Sequence, residues 1–207
     1  MMIDVGDKVV ERSFHKDDPH ISVFEDFLSR KECDFLCQMA EPRLQPSQVW
    51  DRETAGSKPS NVRTSHGVFL KYGENMLIRC IENRLQQLTR MRSTHGEDLH
   101  ILRYEPGQEY KPHHDYFELK DPGAKFALNK GGQRIVTVIM YLKEPVEGGE
   151  TQFLDIGITV TPKLGSALLF AYPNEDKRLR HAGLPVIKGQ KWIATKWLRE
   201  NEILDRG

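Results

Sequence analysis

The sequence has little of what marks membrane, disulfide-bonded or nucleic-acid-binding proteins. Cysteine is scarce, with three residues and no CxxC pair, which argues against a disulfide framework and a thiolate zinc site. Long hydrophobic runs are missing too, since no segment approaches the roughly 20 apolar residues that a membrane-spanning helix needs. Neither sign of charge is in excess, because basic and acidic residues both number 30. We therefore expect neither a membrane nor a nucleic-acid partner.

The first eight residues lack the basic start and the apolar run of a secretory signal. This absence predicts a cytoplasmic protein in a reducing environment. With 207 residues, the chain is long enough for a sizeable core and rather short for two independent domains. We expect one domain over residues 1–207, with a helical buttress over about 20–94 and a motif-bearing core over about 95–199.

Two segments in the first half have the pattern of amphipathic helices. Ser29 and Glu32 have the spacing of a capping box, which predicts a helix from about Arg30 to Ala40. Between Glu74 and Arg90, apolar residues recur at spacings of four, four and three, which is one stripe of a helix that faces a core. We interpret both helices as scaffold.

From Leu99 onward the sequence changes to short alternating or β-branched runs, most of them separated by glycine or proline. The predicted strands are Leu99 to Tyr104, Arg134 to Leu142, Ile158 to Thr161, Ser166 to Tyr172 and Trp192 to Leu198. No crossover helix is predicted between them, so each strand should bury one face of an antiparallel sheet. The predicted fold is mainly β with flanking helices, as an antiparallel sandwich or jelly roll.

Two polar segments are predicted to be mobile loops. Residues 51–61 are too polar and too rich in turn formers to make a packed element, and they could act as a lid. The segment from Glu118 to Gln133 contains two turn-forming pairs, Pro122-Gly123 and Gly131-Gly132. It has the character of an insertion at a variable place.

The stretch YKPHHDYF, residues 110–117, offers two histidines and a carboxylate. Because side chains alternate along a strand, His113 and Asp115 would share one face while His114 points to the other. One imidazole and one carboxylate could belong to a two-histidine, one-carboxylate metal site with three coordination positions left open. A hydrogen-bonded histidine at the rim of the sheet is the alternative.

This spacing alone is weak, because His15 and Asp17 repeat it in a polar amino-terminal stretch where we expect neither a strand nor a metal. A third ligand must come from a distant strand. His181 is the favoured candidate, since it belongs to the carboxyl-terminal part of the predicted sheet. The other candidates are His20, His66, His95 and His100.

The last predicted strand carries one lysine on each face, Lys191 and Lys196. A lysine that projects into a barrel-like interior is costly unless an anion compensates its charge. An inward Lys191 would therefore imply a carboxylate or phosphate ligand. At the rim of the sheet, in water, it would need none, and the sequence pattern leaves both placements open.

Four segments taken in order strongly resemble the prolyl 4-hydroxylase family of iron(II) and 2-oxoglutarate-dependent dioxygenases. They are YKPHHDYF at 110–117, RIVTVIMYL at 134–142, GGET at 148–151, and His181 followed ten residues later by KWIATKW at 191–197. The segments Arg63-Thr64-Ser65 and His95-Gly96-Glu97 also look like family segments, so the resemblance covers about residues 20–199. The ordered set is far more specific than any one motif.

The resemblance implies a double-stranded β-helix with His113, Asp115 and His181 on iron. Lys191 would bind the distal carboxylate of 2-oxoglutarate, which is the anion that the burial argument requires. Tyr104 and Thr151 match family positions that help to hold the cosubstrate. Tyr110 matches an aromatic position near the iron. Simple alternation places Tyr110 on the face opposite His113, however, so its approach to the iron would need a kink at Pro112 or an end-on path.

The resemblance also implies a peptide groove, whose lining positions match Arg134, Trp197 and Glu97. Each residue has an ordinary alternative: a charge on an edge strand for Arg134, core packing for Trp197, and a solvated loop carboxylate for Glu97.

The implied activity is hydroxylation of proline in a polypeptide at C4, with 2-oxoglutarate and dioxygen consumed and succinate and carbon dioxide released. Ascorbate commonly restores oxidised iron in this family. The short chain suggests a minimal bacterial or viral type of enzyme, as a monomer or a homodimer. The alternatives are the same chemistry on free proline or another small molecule, because the metal residues do not encode the acceptor, and a metal-binding or peptide-binding module without turnover.

Overall fold

The computed structural model describes residues 1–50, 57–59 and 62–203. In chain order, strands β1 to β17 cover Met2–Asp4, Val9–Lys16, His20–Glu25, Gln45–Pro46, Gln48–Trp50, Ser57–Pro59, His66–Leu70, Leu99–Tyr104, Tyr110–His113, Arg134–Lys143, Glu147–Gly148, Thr151–Phe153, Ile158–Val160, Ala167–Ala171, His181–Gly183, Val186–Lys188 and Lys191–Arg199. Helices α1, α2 and α3 cover Arg30–Ala40, Met76–Thr89 and Ala124–Leu128. Short 3-10 helices cover Glu41–Arg43, Ser93–His95 and Lys177–Leu179.

Two antiparallel sheets form the body of the protein. The larger sheet has the strand order β1-β2-β3-β14-β10-β17-β8-β7-β4, and the smaller has the order β13-β12-β15-β9. Strands β14, β10, β17 and β8 form one four-stranded layer, and the whole smaller sheet forms the other. The predicted jelly roll is confirmed, and strands β1 to β4 and β7 extend its larger sheet on both sides.

Alternating side chains on the central strands build two separate cores. On β10, Val138 and Met140 join the core on the helix side, whereas Ile139 and Tyr141 join the core between the two sheets. Strand β17 follows the same rule, with Trp192 on the helix side. This period of two is what a sheet covered on both faces requires. The inner face of β17 is therefore free to carry polar residues into the space between the sheets.

The two longer helices cover the outer face of the larger sheet. Ser29 and Glu32 form the capping box at the start of α1, which confirms the predicted helix from Arg30 to Ala40. Leu36 of α1 and Ile81 of α2 are fully buried against the sheet. Each such side chain contributes roughly 1.5–3 kcal/mol by leaving water, so this apolar stripe provides most of the attachment. Among the described residues, no helix has the length and apolar character to cross a membrane.

The amino-terminal half is less helical than predicted. Strands β3 and β7 fall within residues 20–94 and join the larger sheet, so this region is more than a helical buttress. His15 lies within β2, where we predicted no strand. The β2 sequence, VVERSFHK, hides its strand character because charged residues interrupt the apolar alternation.

The two predicted loops have different outcomes. Residues 51–56, 60 and 61 lie outside the described residues, but Ser57–Pro59 pairs with Gln48–Trp50, so the prediction of no regular element is wrong there. Within the segment from Glu118 to Gln133, α3 packs Ala124 and Ala127 against Phe117. This packed helix shows that the centre of the segment is an ordered part of the fold.

Candidate metal and cosubstrate site

His113, Asp115 and His181 converge on one point. Each offers one ligand atom, and the three atoms lie within 4.8 Å of one another. His113 Nε2 is 3.4 Å from Asp115 Oδ1, and His181 Nε2 is 3.7 Å from Asp115 Oδ2. His113 ends β9 and His181 begins β15, and the two residues are direct partners in the smaller sheet. The sheet thus brings together candidate ligands that are distant in the sequence.

Backbone hydrogen bonds fix the tautomers of both imidazoles. His113 Nδ1 is 2.8 Å from the carbonyl oxygen of Lys111, and His181 Nδ1 is 3.0 Å from that of Leu179. A carbonyl can only accept, so each Nδ1 donates, and a neutral ring then presents the lone pair of Nε2 to the common point. Such orientation by a second hydrogen bond is typical of metal-ligating histidine. Two imidazoles and one carboxylate fit iron(II).

The charge state of the cluster suits a divalent metal. Burial raises the pKa of Asp115, but His181, His113 and a 2.7 Å hydrogen bond from the Thr137 hydroxyl outweigh it and hold that pKa well below its ordinary value. Burial lowers the pKa of His181 to about 4, with His113 acting in the same direction. A carboxylate and a neutral imidazole are the forms that bind metals.

His114 lies outside this cluster. Its Nε2 is 3.1 Å from the carbonyl oxygen of Lys177, and its ring stacks on Tyr116 with 4.7 Å between centroids. Alternation predicted this separation, although β9 ends at His113 and Asp115 follows in a bend.

Simple alternation is wrong for Tyr110, whose ring stacks on that of His113 with 3.5 Å between centroids. The pairing of β9 with β15 gives the reason. His113 pairs with His181, and Tyr110 pairs with Gly183. Between these two pairs the chain covers three residues on β9 but only two on β15. The extra residue is a β-bulge, which turns the following side chains to the other face.

Lys191 occupies the inward position rather than the rim. Its side chain is almost fully buried, with the residue 2% exposed. Its Nζ donates to the carbonyl oxygen of Gly149 at 2.9 Å and lies 4.5 Å from the centre of the Tyr104 ring. Burial lowers its pKa to about 8, against which Glu150 acts. Lys196, on the opposite face, is compensated by Glu82 at 2.6 Å.

A cavity of about 40 Å³ links Lys191 to the histidines and the aspartate. Its lining includes the seven predicted metal and cosubstrate positions, His113, Asp115, His181, Lys191, Tyr104, Thr151 and Tyr110. Thr151 Oγ1 is 2.9 Å from the Tyr141 hydroxyl. Within the described parts of the chain, no carboxylate forms an ion pair with Lys191, so a bound anion would supply the missing partner.

A second cavity, of about 460 Å³, opens on the same cluster and is lined by His113, Asp115 and Tyr110 among others. Arg134 and Trp197 both line it, and the Arg134 guanidinium carbon lies 4.0 Å from the centre of the Trp197 ring. Trp197 Nε1 is buried without a hydrogen-bond acceptor among the described residues. We call this second cavity the groove, and its wall includes the Trp197 ring and the Arg134 guanidinium group.

Glu97 does not contribute to the groove lining, in contrast to the prediction. Its carboxylate accepts two hydrogen bonds from Arg134, at 2.6 and 2.7 Å, and one from Arg199 at 2.7 Å. Burial raises the pKa of Glu97, but the two arginines outweigh it and hold the pKa below its ordinary value. Glu97 therefore lies behind the wall as the counter-ion of two guanidinium groups.

The sequence reasoning missed Thr137 and Tyr172. The Tyr172 hydroxyl is 2.7 Å from Thr137 Oγ1, and Thr137 in turn donates to Asp115. Because Thr137 has one proton, Tyr172 must donate to it. The available signal was a threonine within the apolar run RIVTVIMYL, since a polar side chain inside a buried strand needs a partner.

Comparison with known proteins places these features in context. A family model described as the 2OG-Fe(II) oxygenase superfamily matches residues 99–199. Prolyl 4-hydroxylase 1 of Arabidopsis thaliana is 43% identical over 201 residues, which cover 88% of this chain and 69% of the relative. Probable prolyl 4-hydroxylase 3 of the same plant is 40% identical over 208 residues, with coverage of 89% and 71%.

A solved structure shows the same similarity in three dimensions. It is the viral collagen prolyl hydroxylase of Paramecium Bursaria Chlorella virus-1 in complex with 2OG. The identity is 30% and the TM-score is 0.68, with 86% of this chain and 95% of that chain covered.

Proposed function

The chain belongs to the prolyl 4-hydroxylase family of 2OG-Fe(II) oxygenases, and we propose that it hydroxylates proline residues of a polypeptide at C4. One observation carries the proposal. The ligand atoms of His113, Asp115 and His181 meet within 4.8 Å in the same cavity that Lys191 enters. A module that only bound metal would have no need for a buried, carboxylate-free lysine beside the ligands.

We assign the metal to His113, Asp115 and His181, and the distal carboxylate of 2-oxoglutarate to Lys191. When bound, iron(II) and 2-oxoglutarate supply oxidative chemistry that uses dioxygen, transfers one oxygen atom to a C–H bond and leaves succinate and carbon dioxide. The protein orients and insulates the reactants. The Lys191 ammonium replaces the water that the carboxylate loses on burial, and Tyr104 and Thr151 complete that part of the cavity wall.

The groove supports a polypeptide acceptor. It extends from His113 past Trp197 to His100 and Phe69, well beyond the immediate surroundings of the metal ligands. Arg134 and Trp197 provide a flat aromatic and guanidinium surface of the kind that binds proline-rich segments. The viral relative is described as a collagen prolyl hydroxylase, which has a polypeptide substrate. Hydroxylation of peptide libraries would define the sequence preference around the acceptor proline.

We further propose that ascorbate sustains turnover by restoring iron(II), as the family resemblance implies. The cytoplasmic location and the monomeric or homodimeric state stay predictions. Fractionation of the native host would test the first, and light scattering coupled to size-exclusion chromatography would test the second.

The deciding experiment incubates the purified protein with iron(II), 2-oxoglutarate and ascorbate, with and without dioxygen. Proline-rich peptides and free proline are supplied in separate reactions, and the Asp115→Ala variant is the matched control. We expect an oxygen-dependent gain of one oxygen atom on peptidyl proline, located at C4 by fragmentation or NMR, with equimolar succinate. Modification of free proline alone would reject the polypeptide acceptor. Absence of succinate in reactions with iron-loaded protein would reject the proposed enzymatic activity.

A further inference from the structure

Arg199 joins the last strand of the larger sheet to the segment 118–133. The residue is 7% exposed, and it ends β17. Its Nη1 donates to the carbonyl oxygens of Ala127 and Gly132, at 2.9 and 3.0 Å. Its Nε donates to Glu97 at 2.7 Å. One side chain thus holds two points of the segment, one at the end of α3 and one at the turn that follows.

Arg199 is also the rear member of a stack of rings and guanidinium groups. The Arg134 guanidinium carbon is 4.0 Å from the centre of the Trp197 ring and 4.8 Å from that of Phe117. The Arg199 guanidinium carbon is 4.7 Å from the same Phe117 ring. Phe117 therefore contacts two cations, and each such contact is favourable when desolvated. Trp197, Arg134 and Phe117 line the groove, whereas Arg199 does not.

The same wall is tied to a metal-ligand residue. Arg134 Nη1 donates to the carbonyl oxygen of Asp115 at 3.3 Å. Phe117, two residues after Asp115, has both of its backbone groups held by the Gln133 side chain. Gln133 accepts from the Phe117 N–H and donates to the Phe117 carbonyl oxygen, at 2.8 Å each. The chain that leaves the metal site is thus fixed on one side by Arg134 and on the other by Gln133.

We propose that Arg199 is a positioning residue that holds the segment 118–133 as a fixed wall of the groove and thereby sets the affinity for the peptide. Glu118 and Asp121, which belong to this segment, line the groove beside Phe117. Loss of the two Arg199 hydrogen bonds to Ala127 and Gly132 loosens the segment without removing any residue that lines the cavity of the metal and cosubstrate. The predicted effect on the KM for peptide rests on the proposed function, but the role of Arg199 in holding the segment can be tested without any activity.

The test compares Arg199→Lys with Arg84→Lys. Arg84 is a matched control, because it is also buried and binds two carboxylates, Asp7 and Glu32, and the carbonyl oxygen of Phe27 on the helix side of the larger sheet. Lysine keeps the charge in both variants but cannot reproduce the planar fork of donors. A loss of stability common to both is thereby separated from an effect on the groove.

Two measurements are made on each variant. Hydrogen exchange followed by mass spectrometry should show faster exchange in peptides that cover residues 117–133 for Arg199→Lys and unchanged exchange there for Arg84→Lys. Steady-state kinetics should show a rise of roughly tenfold in the KM for peptide, because a loosened wall must be ordered again when the peptide binds. The kcat and the KM for 2-oxoglutarate should change by no more than about twofold.

Unchanged exchange in residues 117–133, or a loss confined to kcat or to 2-oxoglutarate binding, would overturn the inference. If Arg199→Lys does not fold, Arg199→Gln is measured in its place. Gln133→Ala removes another anchor of the same segment and should raise exchange there in the same way. Failure of the wild-type protein to hydroxylate any peptide would reject the proposed function instead, and the exchange measurement would still decide the role of Arg199.

Discussion

The Thr137 hydroxyl donates a 2.7 Å hydrogen bond to Asp115 Oδ2, the carboxylate oxygen that also faces His181. Tyr172 donates to Thr137, so a chain of two hydroxyl groups leads from the core to Asp115. The bond fixes the carboxylate plane and compensates part of the cost of burying its charge. Thr137 thus orients the carboxylate that we assign to the metal, although it contributes no ligand atom of its own.

Replacement of Thr137 by valine should weaken iron(II) binding by roughly 10- to 100-fold, the usual effect of removing a partner of a metal ligand. Valine has nearly the same shape, so the packing around it should survive. Calorimetric titration with iron(II) under anaerobic conditions measures the effect. Thr89→Val is the control, because that hydroxyl donates at 2.7 Å to Leu85 within α2, away from the site. Equal affinity for iron in the two variants would contradict the prediction.

Neighbouring residues of the HHD stretch should behave differently. Asp115→Ala removes the only carboxylate of the cluster, so we expect loss of turnover and at least a hundredfold fall in iron affinity. His114→Ala removes a ring that stacks on Tyr116, outside the cluster, so most of the iron affinity should remain. Metal content after dialysis against a weak chelator distinguishes them. A similar loss in both variants would place His114 in the metal site.

Helices and strands that depend on residues close together in the sequence could be predicted. The capping box located α1 to the residue. Strand β8 runs from Leu99 to Tyr104 as predicted, because its mostly apolar residues form one short run that ends before the Pro106-Gly107 turn. Strand β2 was missed, since its charged residues hide the alternation. His113, Asp115 and His181 could be proposed together because the family resemblance rests on several motifs in a fixed order, and not because local periodicity shows that they meet.

Positions decided by contacts between distant residues could not be predicted. The bulge in β9 depends on the register with β15, and this register moves Tyr110 onto His113. Glu97 lies in a short loop before β8, where a carboxylate is usually solvated. Nothing nearby in the sequence shows that Arg134 and Arg199 converge on it. Both misses concern long-range geometry, which local periodicity does not encode.

The affinity for 2-oxoglutarate should fall as the pH rises above about 8. Burial lowers the pKa of Lys191 to about 8 from an ordinary 10.5, so over this range the free protein loses the cation that we assign to the carboxylate. Without ligand, the unfolded chain binds the proton more tightly than the folded one, so the contribution of Lys191 to stability grows as the pH rises from about 8 to 10.5.

Titrations of 2-oxoglutarate binding from pH 6.5 to 9.5 test this expectation. We expect the dissociation constant to rise toward about tenfold per pH unit once the pH is well above the pKa. Lys191→Arg is the control, because a guanidinium stays charged throughout, so its affinity should be weaker but flat with pH. A wild-type affinity as flat as that of the arginine variant would remove Lys191 from the anion site.

Glu97→Gln should destabilise the protein and weaken peptide binding together, because it leaves the buried Arg199 and the half-buried Arg134 without their shared counter-ion. Breaking a buried ion pair costs about 3–5 kcal/mol, which chemical denaturation would detect as a lower midpoint with an unchanged m-value. Glu82→Gln is the matched control, since Glu82 compensates the buried Lys196 on the helix side. Both variants should lose stability, but only Glu97→Gln should raise the KM for peptide, because only its arginines contact the groove wall. An equal rise in both would show that peptide affinity follows general stability rather than the Glu97 ion pairs.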